Sequence, residues 1–188
     1  MATSKQSKIA SIYQLKISLR GSRPPIWRRV QVNSDITLAQ LHEIVQVSMG
    51  WGNCHLHTFS IQGVEYGRPQ PEYDFNVSDE RRAKLSTIAT QEKAKFHYTY
   101  DMGDDWEHEI LVEKILPPDP ELVYPVCIKG KGACPPEDCG GVWGYQELLG
   151  ILQQPEHPEH ESMAEWIDED FDPTFFDLVE VNESLHSL

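Results

Sequence analysis

Hydrophobic and polar residues alternate along five stretches of the chain. A period of two is typical of β-strands that bury one face, because successive side chains point to opposite sides of a sheet. The alternation predicts strands over residues 12–20, 26–32, 55–62, 95–100 and 106–116. Turn residues at 21–25 and at 101–105 separate the first two and the last two of these strands. Each pair is therefore predicted to form a hairpin.

A helical pattern begins after the second strand. Thr37 and Gln40 have the spacing of a capping box, apolar residues recur at a helical period after them, and Gly50 is placed to end the helix. A short helical turn is predicted near residues 85–88, and longer helices over residues 142–152, 158–168 and 178–187. The second of these longer helices is predicted to begin at Pro158, and the third with Asp177 and Glu180 as a capping box. These elements predict an α+β fold: a mainly antiparallel five-stranded sheet with one early helix and a C-terminal helical, acidic part.

The domain organisation follows from the same pattern. Residues 1–10 are polar and are predicted to form a flexible tail, and residues 11–188 a single domain, with a sheet part at 11–120 and an acidic helical part at 121–188. No run of about 18 apolar residues is present, and the N-terminus lacks the apolar segment of a signal peptide. We therefore expect a cytoplasmic protein without a membrane span, in which the four cysteines are reduced thiols or metal ligands.

The formal net charge of −14 is confined to one part of the chain. Residues 1–131 contain 16 basic and 16 acidic residues, whereas residues 132–188 contain 14 acidic residues and neither lysine nor arginine. An acidic stretch of this kind repels phosphates, which makes nucleic acid an unfavourable partner. The simplest interpretation is a solvated acidic surface.

Histidines and aspartates form the first candidate site. His55 and His57 are two residues apart on a predicted strand, and His108 shares a strand face with Trp106. The turn between the last two strands adds Asp101 and Asp104. Imidazoles that converge near carboxylates could bind zinc or another divalent metal, with an open position for water. The alternative is that these histidines form structural hydrogen bonds at the end of the sheet.

A cysteine-containing loop forms the second candidate. Cys127, Cys134 and Cys139 lie in a segment rich in glycine and proline, where they could bind zinc or remain free thiols. Their spacing is wider than that of most structural zinc sites. Glu137 and Asp138 follow two prolines, and their carboxylates are predicted either to bind a ligand or to cap the next helix.

Arginines near the first hairpin form a third group: Arg20, Arg23, Arg28 and Arg29. Neighbouring residues on a strand face opposite ways, so Arg28 and Arg29 cannot contribute to one patch. We expect these arginines to pair with the acidic C-terminal part, with an anion site as the alternative.

A series of short motifs covers nearly the whole chain: Tyr13-Gln-Leu-Lys-Ile, Pro25-Ile-Trp-Arg-Arg-Val30, Leu38-x-x-Leu41-His42, Gly50-Trp51, His55-Leu-His57-x-Phe59, Tyr98-x-Tyr100-Asp101-x-Gly103-Asp104-x-Trp106-x-His108, Ala133-Cys-Pro-Pro-Glu-Asp138, Gly144-Tyr145, His157-Pro-Glu-His160 and Phe171-Asp-Pro173. In this order, the motifs resemble those of the plasmid pRiA4b ORF-3-like family. The resemblance implies a compact α+β domain with no agreed biochemical activity. Some relatives carry a transposon-resolvase label, but the nucleophilic serine, arginine cluster and helix-turn-helix of a serine recombinase are not recognisable in this sequence.

The sequence therefore does not determine a function. The leading hypothesis is a binding or interaction module from a mobile-element or accessory-gene context, with a protein or small molecule as its partner. A metal-dependent hydrolase that uses the histidine and aspartate cluster is the alternative. Nucleic-acid binding linked to transposition is the weakest hypothesis, since the C-terminal charge opposes it.

Overall fold

A single sheet of eight strands forms the framework of the computed structural model, which describes residues 11–69, 77–167 and 171–188. The strands are β1 (Ile12–Leu19), β2 (Trp27–Asn33), β3 (His57–Ile61), β4 (Val64–Gly67), β5 (Ser78–Asp79), β6 (Lys95–Tyr100), β7 (Trp106–Leu116) and β8 (Val126–Lys131). Their order across the sheet is β5-β4-β3-β6-β7-β1-β2-β8. Neighbouring strands are antiparallel except for the parallel pair β4 and β5. The predicted tail at 1–10 lies outside the described residues.

The α+β class is right, but the predicted five-stranded, mainly antiparallel sheet is wrong, because the sheet is mixed and contains eight strands. The strand β4 is short and follows a two-residue turn in which Gln62 and Gly63 have φ angles of 52° and 80°. The strand β5 has two residues, and β8 contains glycine and lysine in place of a clear apolar alternation. Pairing with neighbouring strands stabilises these three elements, so their own sequences carry little signal.

Five short helices accompany the sheet: α1 (Leu38–Met49), α2 (Leu85–Ile88), α3 (Gly141–Leu152), α4 (His160–Trp166) and α5 (Leu178–Leu185). Both hydrogen bonds of the predicted capping box between Thr37 and Gln40 are present, and Gly50 ends α1 in the left-handed conformation. The carboxylate of Asp177 accepts hydrogen bonds from the first turn of α5, as predicted for an N-cap. The helix α4 begins two residues after the predicted start at Pro158.

The core lies between the sheet and the helices α1 and α5. Strands β1, β2, β6 and β7 bury alternate apolar side chains, and α5 packs against both α1 and β8. Trp106 is completely buried in β7. No helix in the described ranges combines the length and the apolar character needed to cross a membrane.

Arg28 is a charged residue inside this core. Its guanidinium donates hydrogen bonds to the carbonyls of Trp27, Ser48, Met49 and Lys131, at 2.6 to 3.2 Å. These four carbonyls, rather than a carboxylate, compensate the buried charge.

Phe176, which precedes α5, covers Arg28 from the C-terminal part. Its ring centroid lies 4.3 Å from the guanidinium carbon. The same ring lies over Gly130, where an added Cβ would come within 2.5 Å of it. This contact explains a glycine in the middle of β8, and it joins the edge of the sheet to the C-terminal segment.

Among the residues that the structure describes, the arginines near the first hairpin form no ion pair with the acidic C-terminal part, contrary to expectation. Arg20 pairs with Glu107, and Arg29 forms two hydrogen bonds with Glu113 at 2.6 and 2.7 Å. Both acids lie on β7, so these ion pairs connect neighbouring parts of the sheet.

Candidate functional site

His55 lies among three carboxylates at one end of the sheet. Its Nε2 atom is 3.7 Å from Asp101 Oδ2, 3.8 Å from Glu137 Oε2 and 3.3 Å from Asp138 Oδ1. The histidine comes just before β3, Asp101 directly follows β6, and the two other acids lie in the loop between β8 and α3. The antiparallel pairing of β3 and β6 brings the first two together, and the loop closes over them.

Two of these carboxylates are fixed by one oxygen and present the other towards His55. Asp101 Oδ1 accepts a hydrogen bond from the N–H of Gly103 at 2.8 Å. Glu137 Oε1 accepts from the N–H of Gly52 at 2.7 Å and from the hydroxyl of Tyr100 at 3.1 Å. Interactions of this kind orient metal ligands in proteins. They also show that Glu137 does not cap α3, which was one of the two predicted roles.

Two polar atoms in this cluster are buried and have no hydrogen-bond partner among the described residues. They are His55 Nε2 and Glu137 Oε2, which face each other across the space between the carboxylates. A buried polar atom without a partner is costly, and native structures contain few of them. A cation between these two atoms would satisfy both of them.

The donor atoms have the types and spacing of a metal site. His55, Asp101 and Asp138 form one set of ligand atoms within 4.8 Å of one another, and Cys54, His55 and Glu137 form a second. Ligands about 2.1 Å from a tetrahedral ion lie about 3.4 Å apart, close to the distances measured from His55 Nε2. Cys54 was not among the predicted site residues, although its position directly before His55 could have indicated it.

The backbone around the cluster is unusual. Asn53, Asp101 and Asp138 have φ angles of 53°, 56° and 57°, in the left-handed region. Non-glycine residues adopt this region uncommonly, although asparagine and aspartate tolerate it best. Residues of this conformation are enriched at functional sites. Here they allow the chain to turn side chains from separate loops towards one point.

His57 does not reach this cluster. Its ring stacks on that of His42, with 3.5 Å between centroids and 6° between planes, and its Nε2 lies 2.7 Å from Glu80 Oε2. His55 lies before the strand, in a bend, so the alternation that was expected to align it with His57 does not apply.

His108 is also separate. It is completely buried on β7, where its Nε2 accepts a hydrogen bond from Trp51 Nε1 at 3.3 Å and its Nδ1 lies 3.3 Å from the Tyr98 carbonyl. Burial lowers the pKa of His108 to about 4. The three predicted histidines therefore have three different sets of contacts, and their rings do not converge on one point.

Asp104 and Trp106 lie beside the cluster. Asp104 Oδ2 accepts a hydrogen bond from the N–H of Gly140 at 3.1 Å, which attaches the β6–β7 hairpin to the start of α3. Trp106 is buried and packs against Trp51 with 5.0 Å between centroids. Their contacts hold together the elements that carry the site.

The predicted cysteine set does not come together. Within the described part of the chain, Cys127, Cys134 and Cys139 appear in neither group of neighbouring ligand atoms. Burial raises the pKa of Cys127, raises that of Cys134 well above its usual value, and raises that of Cys139 to about 12. A high pKa disfavours the thiolate that zinc requires. All three are free thiols in the structure.

A cleft of about 610 Å³ begins at Cys54 and His55 and continues past the stacked histidines. His42, His57, Glu80, Arg68 and Met102 are among its lining residues. The cleft gives the cluster a polar neighbourhood large enough for a small molecule.

Comparison with known proteins places this arrangement in a family. The family model of plasmid pRiA4b ORF-3-like proteins matches residues 11–180. The chain belongs to this family. It is 38% identical over 182 residues to the uncharacterized protein y4hQ of Sinorhizobium fredii (strain NBRC 101917 / NGR234), covering 96% of this chain and 93% of the relative.

A solved structure shares the fold. It is the crystal structure of MM3350 from Methanosarcina mazei Go1, a protein of unknown function. The TM-score is 0.84 with 39% sequence identity, and the match covers 92% of this chain and 98% of the other. Neither relative has an assigned activity, so membership of the pRiA4b ORF-3-like family supplies a fold and no function.

Proposed function

We propose that the protein binds a divalent transition-metal ion at His55, whose ligand atom forms one close set with those of Asp101 and Asp138 and a second close set with those of Cys54 and Glu137. The observation that carries this proposal is the pair of buried, unpartnered atoms, His55 Nε2 and Glu137 Oε2, which face the same space. An ion in that space would complete the coordination of both atoms and compensate three neighbouring negative charges.

Protonation of His55 would satisfy these two atoms less well than a metal ion would. A protonated His55 could donate from Nε2 to one carboxylate, but the distances of 3.7 and 3.8 Å to Asp101 and Glu137 are too long for hydrogen bonds. A divalent cation can accept several oxygens at once. One imidazole with carboxylates suits zinc, and manganese shares the preference for carboxylate oxygen.

One of the proposed ligands is exposed, so a metal ion could enter the site from solvent. The side chain of Asp138 is 74% exposed, whereas that of Asp101 is 11% exposed. The ion would thus have a buried ligand in Asp101 and a solvent-exposed ligand in Asp138. This leaves a position for water or for a group of a small ligand in the adjoining cleft.

Metal titration tests the proposal. Protein prepared without an affinity tag is stripped with EDTA, dialysed, and titrated with Zn²⁺ and Mn²⁺ by calorimetry. We expect about one ion per chain, and at least about tenfold weaker binding in His55→Ala and in Asp101→Asn. His97→Ala is the matched control, because His97 is an exposed histidine elsewhere on the sheet and should leave binding unchanged.

Two outcomes would refute the site. One is wild-type affinity in His55→Ala, which would place the ion elsewhere. The other is no binding of either ion by correctly folded wild-type protein, as judged by circular dichroism. Cys54→Ser reports separately whether the neighbouring thiol contributes, with Cys127→Ser as the control cysteine.

A further inference from the structure

A groove runs between α3 and α4 on the C-terminal side of the molecule. Its apolar lining comes from Leu148 and Ile151 of α3 and from Met163 and Trp166 of α4, and Glu147 and Glu159 add negative charge. The cavity volume is about 350 Å³. An apolar floor with acidic groups matches a segment that is apolar on one side and basic on the other.

Each of the two helices carries one exposed tryptophan, Trp166 in the lining of the groove and Trp143 on α3 outside that lining. Trp143 is 87% exposed and Trp166 is 50% exposed. Trp143 lies four residues before Glu147 on α3, so the two share one face of that helix. Tryptophan is strongly enriched among the residues that dominate protein–protein binding.

In the described ranges of the chain, no lysine or arginine forms an ion pair with the acids around the groove. Among the described residues, every ion pair to lysine or arginine involves an acid between residues 79 and 113. Residues 132–188 contribute 14 acids and no lysine or arginine. Their negative field is therefore available to a partner, and it would steer a basic one towards this surface.

We propose that the α3–α4 groove docks a basic, amphipathic segment of a partner protein. Apolar side chains of that segment contact Met163 and Trp166, above the buried Leu148 and Ile151, while its lysines or arginines face Glu147 and Glu159. Nucleic acids and anionic membranes carry the wrong charge for this surface. A second copy of the chain is a poorer occupant, because its corresponding surface carries the same acidic excess.

A peptide-binding experiment tests the docking surface. The probe is a fluorescent 18-residue helical peptide of leucine and lysine with one apolar face, and a scrambled peptide of the same composition is its control. Anisotropy is measured in EDTA at two salt concentrations, so that the result does not depend on a metal. We expect saturable binding of the amphipathic peptide, at least about tenfold tighter than the scrambled one and weaker at high salt.

Variants locate the binding site. Trp143→Ala removes an exposed side chain and should not perturb folding, and it is expected to weaken binding at least about fivefold, as are Trp166→Ala and the double variant Glu147→Gln/Glu159→Gln. Glu183→Gln, on α5 and outside the groove, is the matched control and should change affinity less than twofold.

The proposal is overturned by any of three results. Equal binding of both peptides, or equal weakening by Glu183→Gln, would show attraction by net charge alone. Absence of binding would show that the groove does not accept such a segment. Self-association in sedimentation experiments that Trp143→Ala or Trp166→Ala abolishes would show that a second copy covers the groove.

Discussion

The imidazole rings of His42 and His57 stack face to face, 3.5 Å apart between centroids. His42 Nε2 lies 2.9 Å from Asn53 Oδ1, so this nitrogen carries the proton, and Nδ1 accepts from the hydroxyl of Tyr98 at 2.8 Å. The neutral ring is thereby fully hydrogen-bonded. Burial, and then the neighbouring His57, lower the pKa of His42 to about 4.

Because two histidines are buried, we expect the free energy of unfolding to decrease as the pH falls from 6.5 towards 4. His42 and His108 each have a pKa of about 4 in the folded protein, against 6.5 as the ordinary value. The unfolded chain therefore binds more protons between these values, and stability is complete above pH 6.5 and decreases as the pH falls towards 4. The loss is on the order of 3 kcal/mol for each histidine at pH 4. Urea unfolding of metal-free protein from pH 7 to 4.5 measures this slope.

Substitution of His42 and of His108 tests whether these two residues cause the pH dependence of the free energy of unfolding. His108→Gln and His42→Gln should each be less stable at pH 7, yet each should lose about half of the dependence on pH between 6.5 and 4.5. His97→Gln, at an exposed position, should keep all of it. An unchanged slope in both buried variants would show that other groups cause the acid sensitivity.

Arg28 should be irreplaceable by lysine. The substitution Arg28→Lys keeps a charge but has fewer donors and a different shape, so several of the four carbonyls lose their partner and the contact with Phe176 weakens. We expect the free energy of unfolding to fall by about 2–4 kcal/mol, measured by chemical denaturation. Arg20→Lys, at an exposed ion pair, should cost less than about 1 kcal/mol. Equal costs for the two substitutions would contradict the role assigned to the buried guanidinium.

Substitution by alanine at two glycines of α3 should change the stability of the protein in opposite directions. A Cβ at Gly144 would lie 1.9 Å from the carbonyl oxygen of Cys139, whereas a Cβ at Gly150 meets nothing within 4 Å. Gly144→Ala should therefore destabilise the protein by at least about 2 kcal/mol, since backbone must move. Gly150→Ala should stabilise it by about 0.5–1 kcal/mol through helix propensity. Thermal unfolding of both variants checks the pair, and similar midpoints would contradict the close packing of α3.

If a metal ion binds at His55, it should raise the free energy of unfolding of the protein. An ion that binds only the folded chain, present at about 100 times its dissociation constant, adds about 2.7 kcal/mol. For a chain of this size that corresponds to a rise of about 5–10 °C in the unfolding midpoint. Differential scanning calorimetry with and without Zn²⁺ measures it. Asp101→Asn should remove the rise and His97→Ala should not, and a rise that persists in Asp101→Asn would assign it to another site.

The elements that the sequence predicted well are those with strong local signals. The capping box at Thr37 and Gln40, the end of α1 at Gly50 and the N-cap Asp177 all form as expected, because these signals act within a few residues. The strands β4, β5 and β8 were missed, since their stability comes from neighbours that the local sequence does not specify.

The candidate site shows the same division. His55, Asp101, Glu137 and Asp138 were all named as candidates from their residue types, and they lie together. Their grouping was not predictable, because strand alternation suggested that His55 would join His57 and His108. Side chains from three separate loops meet only after the sheet is assembled.

The sequence alone determined the α+β class, both ends of α1, the start of α5, the acidic C-terminal part and the family. These properties depend on local pattern and composition, which the chain carries in any conformation. Only the tertiary structure decided that His55 faces carboxylates and that His42 and His108 are buried as neutral rings. It also decided that carbonyl groups compensate the charge of Arg28. Burial and distance set these properties, and both arise from contacts between residues far apart in the chain.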